Sequence, residues 1–161
     1  MVTDKEITIP KLWQILETVC DPEVPVLTIA DLGIIRDIKI HDDTIEVIIT
    51  PTYTGCPAMD MIAMNIKLAL IENGYPKVKV TSVLAPAWTT DWMSEEGKRK
   101  LKSYGIAPPH SRSDETSDRV IKCPQCNSSN TKCISEFGST ACKALYQCND
   151  CKEPFDYFKC H

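Results

Sequence analysis

Two pairs of cysteines near the C-terminus constrain the fold of this chain more than any other feature of its sequence. Both pairs are C-x2-C motifs, Cys123 with Cys126 and Cys148 with Cys151, and 21 residues separate them. Two intervening residues let both sulfurs of a pair face one ion, and two pairs complete the tetrahedron that structural zinc prefers. The spacing therefore predicts one structural Zn²⁺ per chain, held by these four thiolates.

The segment that carries these cysteines is too short and too polar to fold on burial alone. Strands are predicted at 131–137 and 144–147, on either side of a turn at 138–140, which is the arrangement of a zinc ribbon. Metal binding would then supply much of its folding free energy. Iron in the same thiolates stays open as an alternative, because ligand type does not separate it from zinc, and redox-active cysteine pairs are a further alternative.

Four more potential ligands lie in the same part of the chain: Cys133, Cys142, Cys160 and His161. They could form a second metal site, since soft ligands cluster near this terminus. No pair among them has C-x2-C spacing, however, and small buried thiols are the simpler interpretation.

Length and charge limit the remaining possibilities. A chain of 161 residues has room for one ordinary domain and a small appendage. The net charge is −4, and residues 120–161 hold five lysines against four acidic residues, so no basic patch favours nucleic-acid binding. No apolar run is long enough to span a membrane or to act as a signal peptide, and a cytoplasmic protein is expected.

The sequence divides into three parts: an α/β domain at 1–106, a linker at 107–119 and the ribbon at 120–161. A helix is predicted from Pro10 to about Cys20, and an alternating pattern predicts a hairpin at 34–49. A second helix should end at Gly74, a third strand follows it, and a short helix should run from Ser94 to Gly105. From 107 to 119 almost nothing is apolar, which is typical of a linker.

Cys56 lies between a glycine and Pro57, which fits the first position of a helix. A thiol at a helix N-terminus faces unpaired N–H groups, and they favour the thiolate that binds metal. Asp21 and Glu23, on a proline-rich loop, could reach the same surface. The alternative is that Cys56 is a buried thiol under its loop; Cys20, at the end of an apolar helix face, is expected in the core.

The sequence lacks the parts of a catalytic site. His41 falls in a charged hairpin turn and His110 in the linker, so neither is placed as a base for Cys56, and no glycine-rich phosphate loop is present. We therefore expect a protein that is not an enzyme and binds no small-molecule substrate.

Three segments resemble the MIP18-like family, also called DUF59: DPEVPVLTIADLG at 21–33, TPTYTGCP at 50–57 and PAW at 86–88. The resemblance extends to the PaaD (PaaJ) subgroup through AWTTDWM at 87–93, YGIAPP at 104–109, SEFGSTACKALY at 135–146 and EPFDYFKC at 153–160. It implies an α+β fold, with a small α/β domain (helix, hairpin, helix, strand) followed by a four-cysteine zinc ribbon. It also places Cys56 on the family's characteristic cysteine.

The resemblance implies an accessory protein that matures an iron–sulfur or other metal centre of the phenylacetyl-CoA epoxidase complex in aerobic phenylacetate degradation. Cys56, with Asp21 and Glu23, would hold iron or an Fe–S cluster transiently, and the reductase component is the expected client. The Glu-x-x-His pairs of a di-iron oxygenase are absent, so oxygen chemistry is expected elsewhere in the complex.

The alternative is a non-catalytic structural subunit, which binds its partner proteins through the ribbon and an aromatic loop. Five aromatic residues are candidates for interface anchors, although core packing is the simpler expectation for most of them. They are Trp88, Trp92, Phe155, Tyr157 and Phe158.

Overall fold

The computed structural model describes residues 6–110 and 120–159. The chain forms two compact units, Met1–Trp88 and Thr89–His161. Among the described residues, no helix is both long and apolar enough to cross a membrane.

The first unit is a three-stranded sheet with helices. Its elements are α1 (Ile9–Leu16), α2 (Ile29–Leu32), β1 (Ile35–His41), β2 (Thr44–Ile49), α3 (Ala58–Glu72) and β3 (Val78–Ser82). Strands β1 and β2 form an antiparallel hairpin, and α3 carries the chain over to β3, which pairs parallel to β2. The α+β fold and the predicted order of helix, hairpin, helix and strand are confirmed.

Aliphatic side chains fill the core of this unit. Strand β2 alternates strictly, and its inward residues Ile45, Val47 and Ile49 are at most 1% exposed. Helix α3 buries Ile66 and Leu70 completely, at the four-residue spacing that keeps side chains on one helix face. A half-buried sheet face covered by a helix is a stable arrangement for a small domain.

Helix α1 ends at Leu16, about one turn earlier than the apolar periodicity predicts. The N–H groups of Thr18 and Val19 bond to carbonyls three residues back rather than four, which closes the helix with a tight turn. Cys20 then pairs with Thr28 in an isolated bridge and is exposed, so the expectation that it lies in the core is wrong.

The second unit holds a short helix and a four-stranded sheet. Its elements are a 3₁₀ turn (Thr90–Trp92), α4 (Glu95–Tyr104), β4 (Ile106–Ala107), β5 (Thr131–Ser135), β6 (Lys143–Cys148) and β7 (Pro154–Phe158). The hydroxyl of Ser94 accepts the N–H of Gly97, and Gly105 ends α4 with a φ of 91°, as the sequence predicts.

Strand β4 belongs to the ribbon sheet. The sheet order is β4-β7-β6-β5, and Ile106 and Ala107 pair in parallel with Asp156 and Tyr157. The second compact unit begins at Thr89, so it holds residues 89–106, which the sequence groups with the first domain, together with the ribbon. The β4–β7 pairing joins residues about 50 positions apart, and local composition does not reveal such a contact.

Candidate metal centre

The four cysteines of the two C-x2-C pairs converge on one point. Their sulfurs all lie within 4.8 Å of one another, and they form the one group of three or more potential ligands among the described residues. The Sγ atoms of Cys123 and Cys151 are 3.7 Å apart, and those of Cys126 and Cys148 are 3.6 Å apart. A tetrahedral ion with metal–sulfur bonds of about 2.3 Å sets sulfurs roughly 3.8 Å apart, whereas a disulfide needs about 2.05 Å. The quartet therefore fits a single tetrahedral ion.

The same spacing argues against a cluster in this site. In a [2Fe–2S] cluster two thiolates share each iron, and in a [4Fe–4S] cluster each thiolate binds its own iron, so thiolates on different irons are separated more widely. Here all four sulfurs lie within 4.8 Å of one another, which favours convergence on a single ion.

Backbone N–H groups, desolvation and neighbouring thiols all shift the pKa values of cysteines in the quartet. The N–H of Cys151 is the main cause that lowers the pKa of Cys148 to about 7. At Cys151 the N–H of Glu153 lowers the pKa, but desolvation and the neighbouring thiols outweigh it and raise that pKa to about 12. Four thiolates this close need a compensating cation, which a divalent metal supplies.

Both cysteine pairs end in the same backbone conformation. The residue after each pair, Asn127 or Lys152, has a positive φ, of 62° or 67°. The N–H of Asn127 bonds to the carbonyl of Cys123 at 2.9 Å, and the N–H of Cys148 bonds to the carbonyl of Glu153 at 3.0 Å. These turns fold each pair back on itself, so that its two sulfurs face the same point.

A polar network joins the two pairs outside the sulfurs. The carboxylate of Asp150 accepts hydrogen bonds from the Ser128 hydroxyl and, at 3.0 Å, from the side-chain amide of Asn130. These bonds, with Ser128 first, lower the pKa of Asp150. Asn149 adds a bond to Asn130 at 3.0 Å. This network was not predicted from the sequence; short polar residues within and just after the C-x2-C pairs were its signal.

A small apolar core lies beneath the quartet. Cys123 and Cys148, each fully buried, pack into one cluster with Ile121, Phe155 and Tyr157. Tyr146 stacks on Phe155 with ring centroids 5.9 Å apart and meets Tyr157 edge-on at 5.6 Å. Half of the quartet is thus part of the hydrophobic core of the ribbon.

Cys56 is half-buried on the loop that leads into α3. The helix begins at Ala58 with Pro57 as its N-cap residue, so the thiol comes just before the helix rather than inside its first turn. Gly55 reaches a φ of 79°, and the N–H of Cys56 bonds to the carbonyl of Tyr53 at 3.3 Å. At the start of this loop, the Thr50 hydroxyl is buried and has no hydrogen-bond partner among the described residues.

Asp21 and Glu23 occupy the other loop named by the sequence. Asp21 is buried, and its Oδ1 accepts the N–H of Glu23 at 2.7 Å and that of Val24 at 2.9 Å. This carboxylate therefore fixes the fold of its own loop. Within the described residues, Asp21, Glu23 and Cys56 do not form a ligand group of the kind seen in the quartet.

The four residues of a possible second metal site are only partly described. Cys133 is exposed on β5, so the expectation of a buried thiol is wrong there, whereas Cys142 is buried with its Sγ 3.0 Å from the Thr140 hydroxyl. Cys160 and His161 lie outside the described residues.

The aromatic candidates for interface anchors are mostly in the core. Trp88 is buried and donates its indole N–H to the carbonyl of Leu32 at 2.8 Å, and Phe155, Tyr157 and Phe158 are also buried. Trp92 is half-buried. Core packing, the simpler expectation, is confirmed for the four buried residues.

Two family models match the chain, one on each of its parts. Residues 10–85 match the family described as "Iron-sulfur cluster assembly protein". Residues 107–159 match the "PaaD zinc beta ribbon domain". A crystal structure of a DUF59 domain from Bacillus anthracis has a TM-score of 0.53 and 30% identity, covering 57% of this chain and 89% of that one.

Similarity to a curated relative extends over nearly the whole chain. A protein of Escherichia coli (strain K12), named as a subunit of the "Putative 1,2-phenylacetyl-CoA epoxidase", is 48% identical over 151 residues, or 93% of this chain and 92% of that protein. A "Fe-S protein maturation auxiliary factor" of Porphyromonas gingivalis is 36% identical over 90 residues, 55% of this chain and 85% of that one.

Fold and site together define an iron–sulfur assembly domain of the DUF59 type joined to a zinc ribbon. Because both the ribbon model and a relative that is 48% identical along almost its full length agree, the chain belongs to the PaaD family.

Proposed function

We propose that this protein is an accessory factor that matures an iron–sulfur or other metal centre of the phenylacetyl-CoA epoxidase system, with no catalytic step of its own. One observation carries the proposal: a half-buried thiol, Cys56, stands immediately before helix α3 in the part of the chain that resembles iron–sulfur assembly proteins. The maturation factor from P. gingivalis and the epoxidase subunit from E. coli support the two halves of this statement.

In this proposal the metal or cluster is cargo and the Cys56 sulfur is its temporary ligand. The thiol loses its proton when the metal binds, and it regains a proton when the client's own ligands take the metal over. Thr50 contributes a buried hydroxyl that no described residue engages, at the base of the same loop. Asp21 and Glu23 shape the neighbouring loop through the bond from the Glu23 N–H to the Asp21 carboxylate. The most suitable client is the reductase component, which needs an iron–sulfur cluster; the di-iron oxygenase component is the second.

The quartet has a different role, because it holds a resident ion. We propose Zn²⁺ bound by Cys123, Cys126, Cys148 and Cys151, one per chain, which keeps the ribbon folded. Sulfur separations of 3.6 and 3.7 Å support a mononuclear tetrahedral site. Metal analysis of purified protein should give one zinc per chain, lost in Cys148→Ser and retained in Cys56→Ser. Visible absorption that persists after anaerobic purification would instead identify iron.

The delivery role is tested in cells that express the whole epoxidase system. Cys56→Ser should lower the iron and sulfide content of the purified reductase and slow growth on phenylacetate. Cys133→Ser is the matched control, since it removes an exposed thiol from the ribbon sheet and leaves Cys56 intact. Full cluster occupancy and normal growth with Cys56→Ser would reject the role.

A stable structural subunit is the second candidate, and the name of the E. coli relative, a subunit of the epoxidase, favours it. A structural subunit should co-purify with active epoxidase in fixed stoichiometry, and Cys56→Ser should not change that ratio. A maturation factor should be absent from the mature complex.

A further inference from the structure

Helix α3 is apolar on two opposite faces. Its inner face, with Ile62, Ile66 and Leu70, packs in the core of the first unit. Four large apolar side chains on the outer face, here called the α3 stripe, are between 46% and 58% exposed. The stripe consists of Met61, Met64, Leu68 and Ile71.

The positions of these residues make the stripe continuous. At about 100° per residue, the inner and outer faces are centred roughly 180° apart, and the stripe follows an i, i+3, i+7, i+10 spacing. Asp60, Lys67 and Glu72 flank the stripe and do not interrupt it. A surface helix normally presents polar residues at these positions, and a contiguous exposed apolar patch marks an interaction site.

A groove of about 450 Å³ borders the stripe. It lies between α3 and the chain segment at 18–25, and Leu68 belongs to both the groove and the stripe. Its charged lining residues are Asp21 and Glu72, both acidic, while Pro22 and Pro25 restrict the backbone of the opposite wall. A complementary ligand would therefore combine an apolar face with positive charge.

The size and position of this surface indicate its occupant. A stable interface uses roughly 20–30 residues on each side, far more than four stripe residues and one groove provide, so a transient contact is expected. A second copy of the chain would bring an equally acidic groove against this one, and the two would repel. Thioethers such as those of Met61 and Met64 adapt to partners of different shape. Met61 also follows Cys56 by only five residues, so the stripe begins at the end of α3 that Cys56 precedes.

We propose that the α3 stripe and its groove dock a basic amphipathic helix of the client polypeptide, with the client's apolar residues on Met64 and Leu68 and a cationic side chain toward Glu72. The identity of the occupant as client rests on the function proposed above. Docking places the client next to Cys56, so that metal transfer takes place within one complex.

The test uses the full-length chain with purified, metal-free reductase and oxygenase components, and isothermal titration calorimetry as the readout. The double variant Met64→Ser with Leu68→Ser should raise the dissociation constant for one of the two components roughly tenfold or more. Lys67→Ser is the matched control, because Lys67 is exposed on the same helix but beside the stripe; it should bind as the wild type does. Glu72→Gln should weaken binding less and reduce its dependence on salt concentration. The thermal midpoint of each variant shows that it folds.

Three results would overturn the inference. The first is equal affinity of the wild type and the double variant, and the second is no binding of the wild type to either component. The third is a concentration-dependent dimer of the wild type, seen by sedimentation and abolished by the double variant, which would make the stripe a self-association face. Cys56→Ser should keep its affinity for the client, so loss of the delivery role and loss of the docking surface are separate outcomes.

Discussion

In the first unit, β2 and α3 bury aliphatic side chains such as Ile45, Ile66 and Leu70, whereas two of the seven residues in the ribbon core are cysteines of the quartet. The first unit therefore keeps its main stabilising contacts whatever the metal content of its surroundings. With an ion on the quartet, as proposed above, the ribbon loses part of its core packing when that ion is removed. One chain then joins a fold held by burial to a fold held by coordination.

Removal of the metal should have the largest effect, because it should unfold one unit and not the other. A strong chelator, or Cys148→Ser, should unfold the ribbon and leave the first unit intact, because structural zinc contributes on the order of 10 kcal/mol to such a fold. Amide NMR signals of residues 120–159 should collapse while those of residues 10–85 persist. Cys133→Ser, a thiol outside the quartet, should leave both sets of signals in place. Collapse of both sets would show that the first unit also depends on the ion.

Truncation in the aliphatic core should have the next largest effect. Ile66→Ala should destabilise the first unit by about 2–5 kcal/mol, since it leaves a cavity in a fully buried site. Urea denaturation followed by helical circular dichroism measures this change, and chelator should not alter its size. Ile71→Ala, on the exposed face of the same helix, should cost far less. Equal losses at the two positions would contradict the assignment of faces.

Relief of backbone strain should produce a smaller change, confined to the ribbon. Lys152 has a φ of 67°, a conformation that costs a side-chain-bearing residue about 1 kcal/mol, so Lys152→Gly should stabilise the metal-bound ribbon by about that amount. Its thermal midpoint should rise by a few degrees. Lys132→Gly, in strand β5, should lower it. A fall in both variants would mean that the lysine contacts outweigh the strain.

The smallest effect is electrostatic and belongs to the first unit. A hydrogen bond from the Thr81 hydroxyl, at 2.6 Å, is the main cause that lowers the pKa of Glu46, and Lys79 and His41 add to it. The stabilisation is present above the ordinary carboxyl pKa of 4.5 and is lost as the pH falls through the lower folded value. Glu46→Gln should thus melt earlier than the wild type at neutral pH, and the gap should close in acid. Glu17→Gln, at the end of α1, is the control.

Local patterns were sufficient for several elements of both units. Alternation located β2, and Gly105 with Ser94 fixed both ends of α4 because those residues satisfy helix ends directly. Helix α2 was missed, although Thr28 and Asp31 form a capping box and Gly33 closes the helix with a φ of 70°. Four residues are too few for a periodicity to register, whereas the caps were readable.

The candidate sites were predictable to different extents. The two C-x2-C motifs predicted the quartet, since each pair is a local structure that needs only one return of the chain. The placement of Cys20 was not predictable, because a turn at Thr18 decided it. Periodicity identifies the inner face of α3, with Ile62, Ile66 and Leu70 on one side of the helix. Apolar residues also occur on its outer side, and only the structure shows that the α3 stripe there is exposed.

Because Ile106 and Ala107 pair with Asp156 and Tyr157, strand β4 is part of the ribbon sheet. Ala107 ends a strand of the ribbon sheet and Ile121 belongs to the ribbon core, so both residues that border the intervening segment lie in one module. A fragment cut at residue 120 would discard an edge strand, so the smallest autonomous ribbon has to start ahead of Ile106.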